Sequence, residues 1–269
     1  MLICPLCSQS LADDGTSLRC PDNHSFDRAR QGYVNLLPVQ HKASRAPGDN
    51  ARMVKARRTF LSAGHYRPVA DFLCSKAIEL APRSWLDIGC GEGYYSDFIQ
   101  QCLPQARGHA LDISKEAVRH ACRRNRAVNW LVASMARVPL ADRSCELITS
   151  IFSPLDWQES RRLLAPGGSI LHLAPAHDHL IELRQLIYDE VRPYDDAKHL
   201  QDLPESLICV QSETLHFTLE LPDTAQRQAL LEMTPHGWRA RQERRDAILS
   251  GLLQVTVAVR LDHIQAMEN

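Results

Sequence analysis

From Arg83 onward, short apolar runs alternate with amphipathic ones, and that alternation limits the possible folds more than any other feature of the chain. SWLDIG, ARGHALDIS, NWLVAS, CELITSIFS and SILHLAP read as successive buried strands. GYYSDFIQQCL, KEAVRHACRRN, QESRRLLAPGG and HLIELRQLIYDEV read as helices, with the third closed by glycine after proline. Strands that alternate with helices are joined by crossovers, which predicts a parallel sheet covered by helices on both faces. Further on, ETLHFTLEL and LLQVTVAVRL are β-rich and flank helical stretches around Asp223–Met233 and Arg239–Ser250. Such a pair can add an antiparallel edge. The expected class is α/β: a Rossmann-like, mostly parallel seven-stranded sheet.

LDIGCGEGYY ends the first strand and brings Asp87, Gly89, Gly91, Glu92 and Gly93 to its C-terminal end. Glycines there let the backbone turn sharply and approach a nucleoside just before a helix begins. A dinucleotide site is the obvious competitor. The pattern is D-x-G-x-G-x-G, however, and Glu92 inside the loop would repel a pyrophosphate. S-adenosylmethionine, with a cationic centre and an amino-acid head, suits the acidic loop better. Asp112 ends the second strand about 20 residues downstream, where a carboxylate can accept hydrogen bonds from ribose hydroxyls. Ala133-Ser134, after the third strand, marks the expected place of the adenine.

At the other end of the chain, Cys4, Cys7, Cys20 and His24 follow the spacing C-x2-C-x12-C-x3-H. Two short chelating turns can bring three thiolates and an imidazole to the corners of a tetrahedron. Pro5 and Pro21 stiffen those turns, and Asp13-Asp14-Gly15 supplies a turn between them. With four protein ligands no coordination position stays open, so the expected metal is structural zinc in a small ribbon. The remaining cysteines, Cys74, Cys90, Cys102, Cys122, Cys145 and Cys209, are scattered through core-like stretches and do not form a disulfide framework. MLICPLC lacks the zones of a secretory signal, and no apolar run approaches the roughly 20 residues that span a bilayer. A cytoplasmic protein without a membrane partner is expected.

The formal net charge is −1, but its distribution is uneven. Residues 1–70 carry ten bases and five acids, or +5, which leaves −6 for the rest. Between Arg28 and Arg67, nine basic residues face one acid, Asp49. A basic front end on an acidic body suits a polyanionic partner, and a solvated charged helix would look the same. Asp49 or Asn50 is a reasonable N-cap for ARMVKARRTFLSAGHY, and Pro68 separates that helix from VADFLCSKAIELA.

Together, the ribbon CPLC…CPDNH, the linker GYVNLLPVQHK, Pro47–Asp49, ARRTFLSAGHY, LDIGCGEGYYS, LAPGG and MTPHGWRA resemble the 23S rRNA guanine-N1 methyltransferases of the RlmA type over nearly the whole chain. The resemblance implies a class I methyltransferase that acts on N1 of a guanine in a domain II hairpin loop of 23S rRNA. It implies S-adenosylmethionine, structural zinc and a homodimer. It also implies cofactor contacts at Tyr66, Gly91, Glu92 and His179. The expected domains are an RNA-recognising zinc ribbon at 1–36, a basic linker and helix at 37–70, and the methyltransferase domain at 71–269. The ribbon is expected to recognise RNA, because it directly precedes the basic segment and the sheet shows no evident need of it for its own core.

Guanine N1 carries a proton that must be removed before or during transfer. Asp156, the carboxylate of SIFSPLDW after the fourth strand, is the candidate base, with helix capping as its other reading. A zinc-containing methyltransferase acting on a small molecule or protein is the alternative function. A non-catalytic RNA-binding protein that keeps the fold is a further one.

Overall fold

The computed structural model describes residues 1–38 and 47–267. Lys42 and Arg45 of the basic stretch, and the end of the linker GYVNLLPVQHK, lie outside the described residues. Ala12–Asp13 (β1), Ser17–Arg19 (β2) and Ser25–Asp27 (β3) form a small antiparallel sheet. Val34–Asn35 (β4) joins a second sheet. Two helices follow, Ala51–Ser62 (α1) and Arg67–Leu80 (α2). Asn50 caps α1 by accepting from the backbone N–H groups of Arg52 and Met53, and Pro68 sits in the first turn of α2, where its missing N–H costs nothing.

The alternating region then runs Ser84–Ile88 (β5), Tyr94–Cys102 (α3), Arg107–Asp112 (β6), Lys115–Ala121 (α4), Asn129–Val132 (β7), Cys145–Ile151 (β8), Trp157–Leu163 (α5), Leu164–Pro175 (β9) and Ile181–Ile187 (α6). The chain closes with Lys198–Gln201 (α7), Leu207–Glu220 (β10), Thr224–Met233 (α8), a 3-10 turn at Pro235–Trp238, Gln242–Gly251 (α9) and Gln254–Ala266 (β11). The sheet order is β10-β11-β9-β8-β5-β6-β7-β4. Its strands from β4 to β9 are parallel, and β11 lies antiparallel between β9 and β10.

Two expectations are corrected. The large sheet has eight strands, not seven, because Val34 and Asn35 pair in parallel with Leu131 and Val132. Second, LAPGG does not close a helix. α5 stops at Leu163, and Leu164 already pairs with Cys145 in β8. The register then shifts between Cys145 and Leu147, so the proline and glycines occupy an irregular start to β9.

The strand residues of β5 divide the core. Trp85 faces a cluster with Leu73, Ile99 and Val257, whereas Leu86 and Ile88 face a second one with Leu111, Leu131 and Ile148. Leu18 of the ribbon and Leu36 just beyond β4 belong to this second cluster, and both are nearly fully buried. The ribbon is also tied down by backbone hydrogen bonds from Ile3 to the Pro139 carbonyl (3.0 Å) and from Ala141 to the Met1 carbonyl (2.9 Å). The sheet therefore uses the ribbon to cover its own core, contrary to the sequence expectation. Burying a leucine side chain contributes about 1.5–3 kcal/mol.

Candidate active site and metal centre

The C-terminal ends of the parallel strands open into a cavity of about 860 Å3. This is the edge at which open α/β sheets bind ligands. The cofactor loop forms one wall. Gly89 has φ +77, and a Cβ placed there would fall 2.0 Å from Ser153 Oγ, so only glycine permits this approach of the two loops. Asp112 receives the Gly91 N–H at 2.9 Å and the Ser114 N–H at 2.7 Å. Burial raises its pKa, and those two backbone donors oppose the rise.

Glu92 is buried in the wall, with Oε2 held by Arg124 at 2.6 Å. Its Oε1 has no partner among the described residues. Burial pushes its pKa up and Arg124 pulls it down. An unpaired buried acceptor at the cavity wall calls for a ligand donor, and a positively charged amino-acid head supplies one. The donor set of Glu92, Asp112 and Ser134 in one cavity thus fits S-adenosylmethionine, and these are the residues that would hold it.

Of the sequence candidates, Tyr66, Gly89, Gly91, Glu92, Asp112, Ser134 and His179 all line this cavity. Asp87 and Gly93 do not. Asp87 is buried beneath the loop, where Ser96 Oγ (2.5 Å) and Thr149 Oγ1 (3.0 Å) donate to it. Burial pushes its pKa up to about 6 against those two hydrogen bonds. Gly93 is the N-cap of α3 at φ 83, pressed against Trp130 and Ala121. Both residues shape the loop from behind.

Asp156 also lies outside the cavity lining. It caps α5, accepting the Glu159 N–H at 2.9 Å, so its carboxylate serves the helix rather than the expected proton transfer. The loop it belongs to does reach the cavity through Phe152, Ser153 and Pro154. Phe152 adopts φ 54, unusual for a bulky residue, and its ring lies 5.7 Å from that of His179 and 6.1 Å from that of Tyr66. Tyr66 Oη lies 3.5 Å from His179 Nε2, and His179 Nδ1 accepts the Ala258 N–H at 3.3 Å. Burial pushes the His179 pKa down to about 4 and the Tyr66 phenol up, so both are neutral near pH 7.

Sequence reasoning placed Arg57 in a basic surface stretch. The fold instead puts it in the cavity wall, paired with Asp49 and donating to the Met233 carbonyl at 3.3 Å. His172, His199 and His236 also line the cavity without having been singled out. Of these, His172 left a signal as a histidine inside the apolar strand SILHLAP, and His236 lies within MTPHGWRA.

At the N-terminus, the ligand atoms of Cys4, Cys7, Cys20 and His24 all lie within 4.8 Å of one another. The separations include Cys7 Sγ to Cys20 Sγ at 3.6 Å and Cys20 Sγ to His24 Nδ1 at 3.3 Å. A tetrahedral zinc with Zn–S bonds of about 2.3 Å spaces its sulfurs about 3.7 Å apart, whereas a disulfide needs about 2.05 Å. The donor set fits zinc. Ser8 and Asn23, both at φ 62, make the tight turns beside Cys7 and His24.

The family model described as "RlmA, N-terminal" matches residues 2–45, and one described as "Methyltransferase domain" matches residues 86–168. The 23S rRNA (guanine(748)-N(1))-methyltransferase of Streptomyces fradiae is 34% identical, across 96% of this chain and 94% of its own. A Micromonospora griseorubida protein is 37% identical, across 97% of this chain and 95% of its own. A malonyl-[acyl-carrier protein] O-methyltransferase of Hahella chejuensis is 32% identical but matches only 46% of this chain and 48% of its own.

Proposed function

The chain belongs to the family of RlmA-type 23S rRNA (guanine-N1)-methyltransferases, and on that premise we propose that it methylates N1 of a guanine in a domain II hairpin loop of 23S rRNA. S-adenosylmethionine is the methyl donor, and structural zinc holds the ribbon. The observation that carries this reading is one cavity of about 860 Å3 that the cofactor-loop residues Gly89, Gly91 and Glu92, with Asp112, share with Phe152, Ser153 and Pro154 of the loop after β8. The cofactor supplies an electrophilic methyl group. The chain supplies alignment, because an in-line displacement tolerates little lateral freedom.

A guanine in a hairpin must leave its stack to reach that cavity. Phe152 offers it an aromatic face, and the neutral Tyr66–His179 pair sits beside that ring without adding charge. Outside the cavity, Trp238 is 56% exposed on the turn that carries the cavity residues Pro235 and His236, a position from which it can stack on an unpaired base. Lys55 and Arg58 on α1, with the ribbon, extend the RNA path. We read the enzyme as a cytoplasmic homodimer, on the family resemblance. No helix among the described residues is long and apolar enough to cross a membrane.

The test is incubation of the protein with methyl-labelled S-adenosylmethionine and a transcript of the hairpin. Label should enter the RNA. Label entering a protein or a metabolite instead would favour the alternative substrate class. Cofactor placement is tested separately: Asp112→Ala should weaken S-adenosylmethionine binding by about 1.5–3 kcal/mol, the contribution of hydrogen bonds to a charged group. Unchanged affinity by calorimetry would remove Asp112 from the site.

A further inference from the structure

The strand register assembles a polar row, buried at Ser150, His172 and Asp262, that the sequence does not reveal. Ser150 on β8 lies opposite His172 on β9, His172 lies opposite Asp262 on β11, and Asp262 lies opposite Ser212 on β10. Residues paired in this way share a face of the sheet. His199 on α7 closes over the row. Its Nε2 lies 2.8 Å from Asp262 Oδ2, and its ring lies 4.3 Å from that of His172. Asp262 is fully buried, while His199 is half-buried and lines the cavity.

We infer that His199, oriented by Asp262, is the group that takes the N1 proton of the guanine. The inference rests on the proposed methylation of guanine N1. With Nε2–H donated to the Asp262 carboxylate, His199 keeps a lone pair on Nδ1. The N1–H proton passes to that nitrogen, and the nitrogen lone pair it leaves on N1 forms the new N–CH3 bond. The C–S bond of the sulfonium breaks with its electrons going to sulfur, giving a neutral thioether, and the proton then leaves His199 for water.

Among the described residues, two of the other cavity histidines are committed, and His172, whose Nδ1 has no partner, is buried and lacks the carboxylate contact that His199 has. His179 uses both ring nitrogens, on the Ala258 N–H and Tyr66, and His236 uses both on Tyr188 and Tyr194 at 2.9 Å each. Asp112 holds two backbone N–H groups, Asp49 holds Arg57, and Glu92 holds Arg124 through Oε2 and keeps Oε1 for the cofactor. A chain of contacts links the cofactor loop to His172, whose ring lies beside that of His199. Ser153, which packs over Gly89, receives the Ser150 Oγ–H on its carbonyl at 2.8 Å, and Ser150 is the register partner of His172.

The electrostatic surroundings of His199 are defined. Burial alone would raise the Asp262 pKa, but His199, Ser212 and Arg260 hold it down to about 2, so it stays ionised. Arg260 Nε lies 2.9 Å from Asp262 Oδ1, and its Nη1 lies 3.6 Å from Asp196 Oδ1. Cys209 Sγ lies 3.8 Å from the same carboxylate oxygen, and Lys198 and Asp202 line the cavity near His199. His172, with its pKa lowered to about 4 chiefly by burial, remains a neutral neighbour. A guanidinium already neutralising Asp262 opposes a metal cation there and leaves a proton relay as the use of the row.

The experiment measures single-turnover methyl transfer to the hairpin transcript against pH for wild type, His199→Gln, Asp262→Asn and Asp262→Glu, with cofactor affinity and melting temperature recorded for each. His199→Gln should bind S-adenosylmethionine normally, lose about 10²–10⁴-fold in rate, and lose the acidic limb of the profile. Asp262→Asn should lower the rate while cofactor binding holds, because the imidazole loses the carboxylate that orients it, and Asp262→Glu should partly restore the rate. A purely structural role for Asp262 would lower the melting temperature with no rescue of the rate by Asp262→Glu. A His199→Gln protein that binds cofactor and methylates at the wild-type rate across the pH range would overturn the inference and leave the proposed function intact. A wild-type protein that methylates no guanine N1 would overturn both.

Discussion

The double variant Cys4→Ser, Cys7→Ser should lose its zinc, unfold the ribbon and lower the melting temperature of the whole methyltransferase body. The first two losses follow from coupling. Metal affinity is folding energy in so small a unit, about 10–16 kcal/mol for zinc-finger peptides. The third follows from packing. Leu18 and Leu36, 1% and 2% exposed, sit in one cluster with Leu86, Ile88 and Leu131 of the large sheet. Uncovering them forfeits about 1.5–3 kcal/mol for each leucine. Methylation of the hairpin should fail both from lost RNA contact and from a weakened fold. Zinc analysis, thermal melting and calorimetry with S-adenosylmethionine separate these effects. A zinc-free variant that melts at the wild-type temperature would show that the ribbon is an independent module. One that also methylates at the normal rate would remove the ribbon from RNA recognition.

Gly89→Ala should abolish measurable cofactor binding while leaving the fold largely intact. The residue sits at φ +77, where an L side chain is strained by about 1–3 kcal/mol, and the new methyl would collide with Ser153 at 2.0–2.6 Å. Ser153 would have to withdraw, taking with it the loop that carries Phe152 and Pro154. Gly167→Ala is the control. It shares a positive φ of 69 but meets nothing within 4 Å and lies outside the cavity. If both variants bind S-adenosylmethionine as wild type does, the glycine loop is not the cofactor wall.

What the sequence made legible was local. Asn50 capped α1 as its side chain and position require, and the glycine loop fell where a strand of period two gives way to a helix. The cysteine spacing carried its own geometry. What escaped was set by contacts between distant segments. β4 is two residues long, too short to show a pattern, and becomes a strand only because Leu131 and Val132 present a free edge. Arg57 reads as a surface base until the fold brings Asp49 and Met233 to it. Asp156 could be a cap or a base in sequence, and the Glu159 N–H decided for the cap. The row from Ser150 to Ser212 exists only in the register of four strands, whose spatial order β8-β9-β11-β10 differs from their order in the chain.

The central claim is most directly tested by identifying the methylated nucleoside and its position. After reaction with S-adenosylmethionine and a 23S rRNA domain II fragment, the RNA is digested and its nucleosides are resolved by mass spectrometry, while a parallel sample is read by reverse transcription. N1-methylation blocks the Watson–Crick edge, so the account predicts N1-methylguanosine as the new nucleoside and a single strong stop at a guanine in a hairpin loop. A methyl group on another atom, on another base, or at a guanine outside any hairpin loop would contradict it.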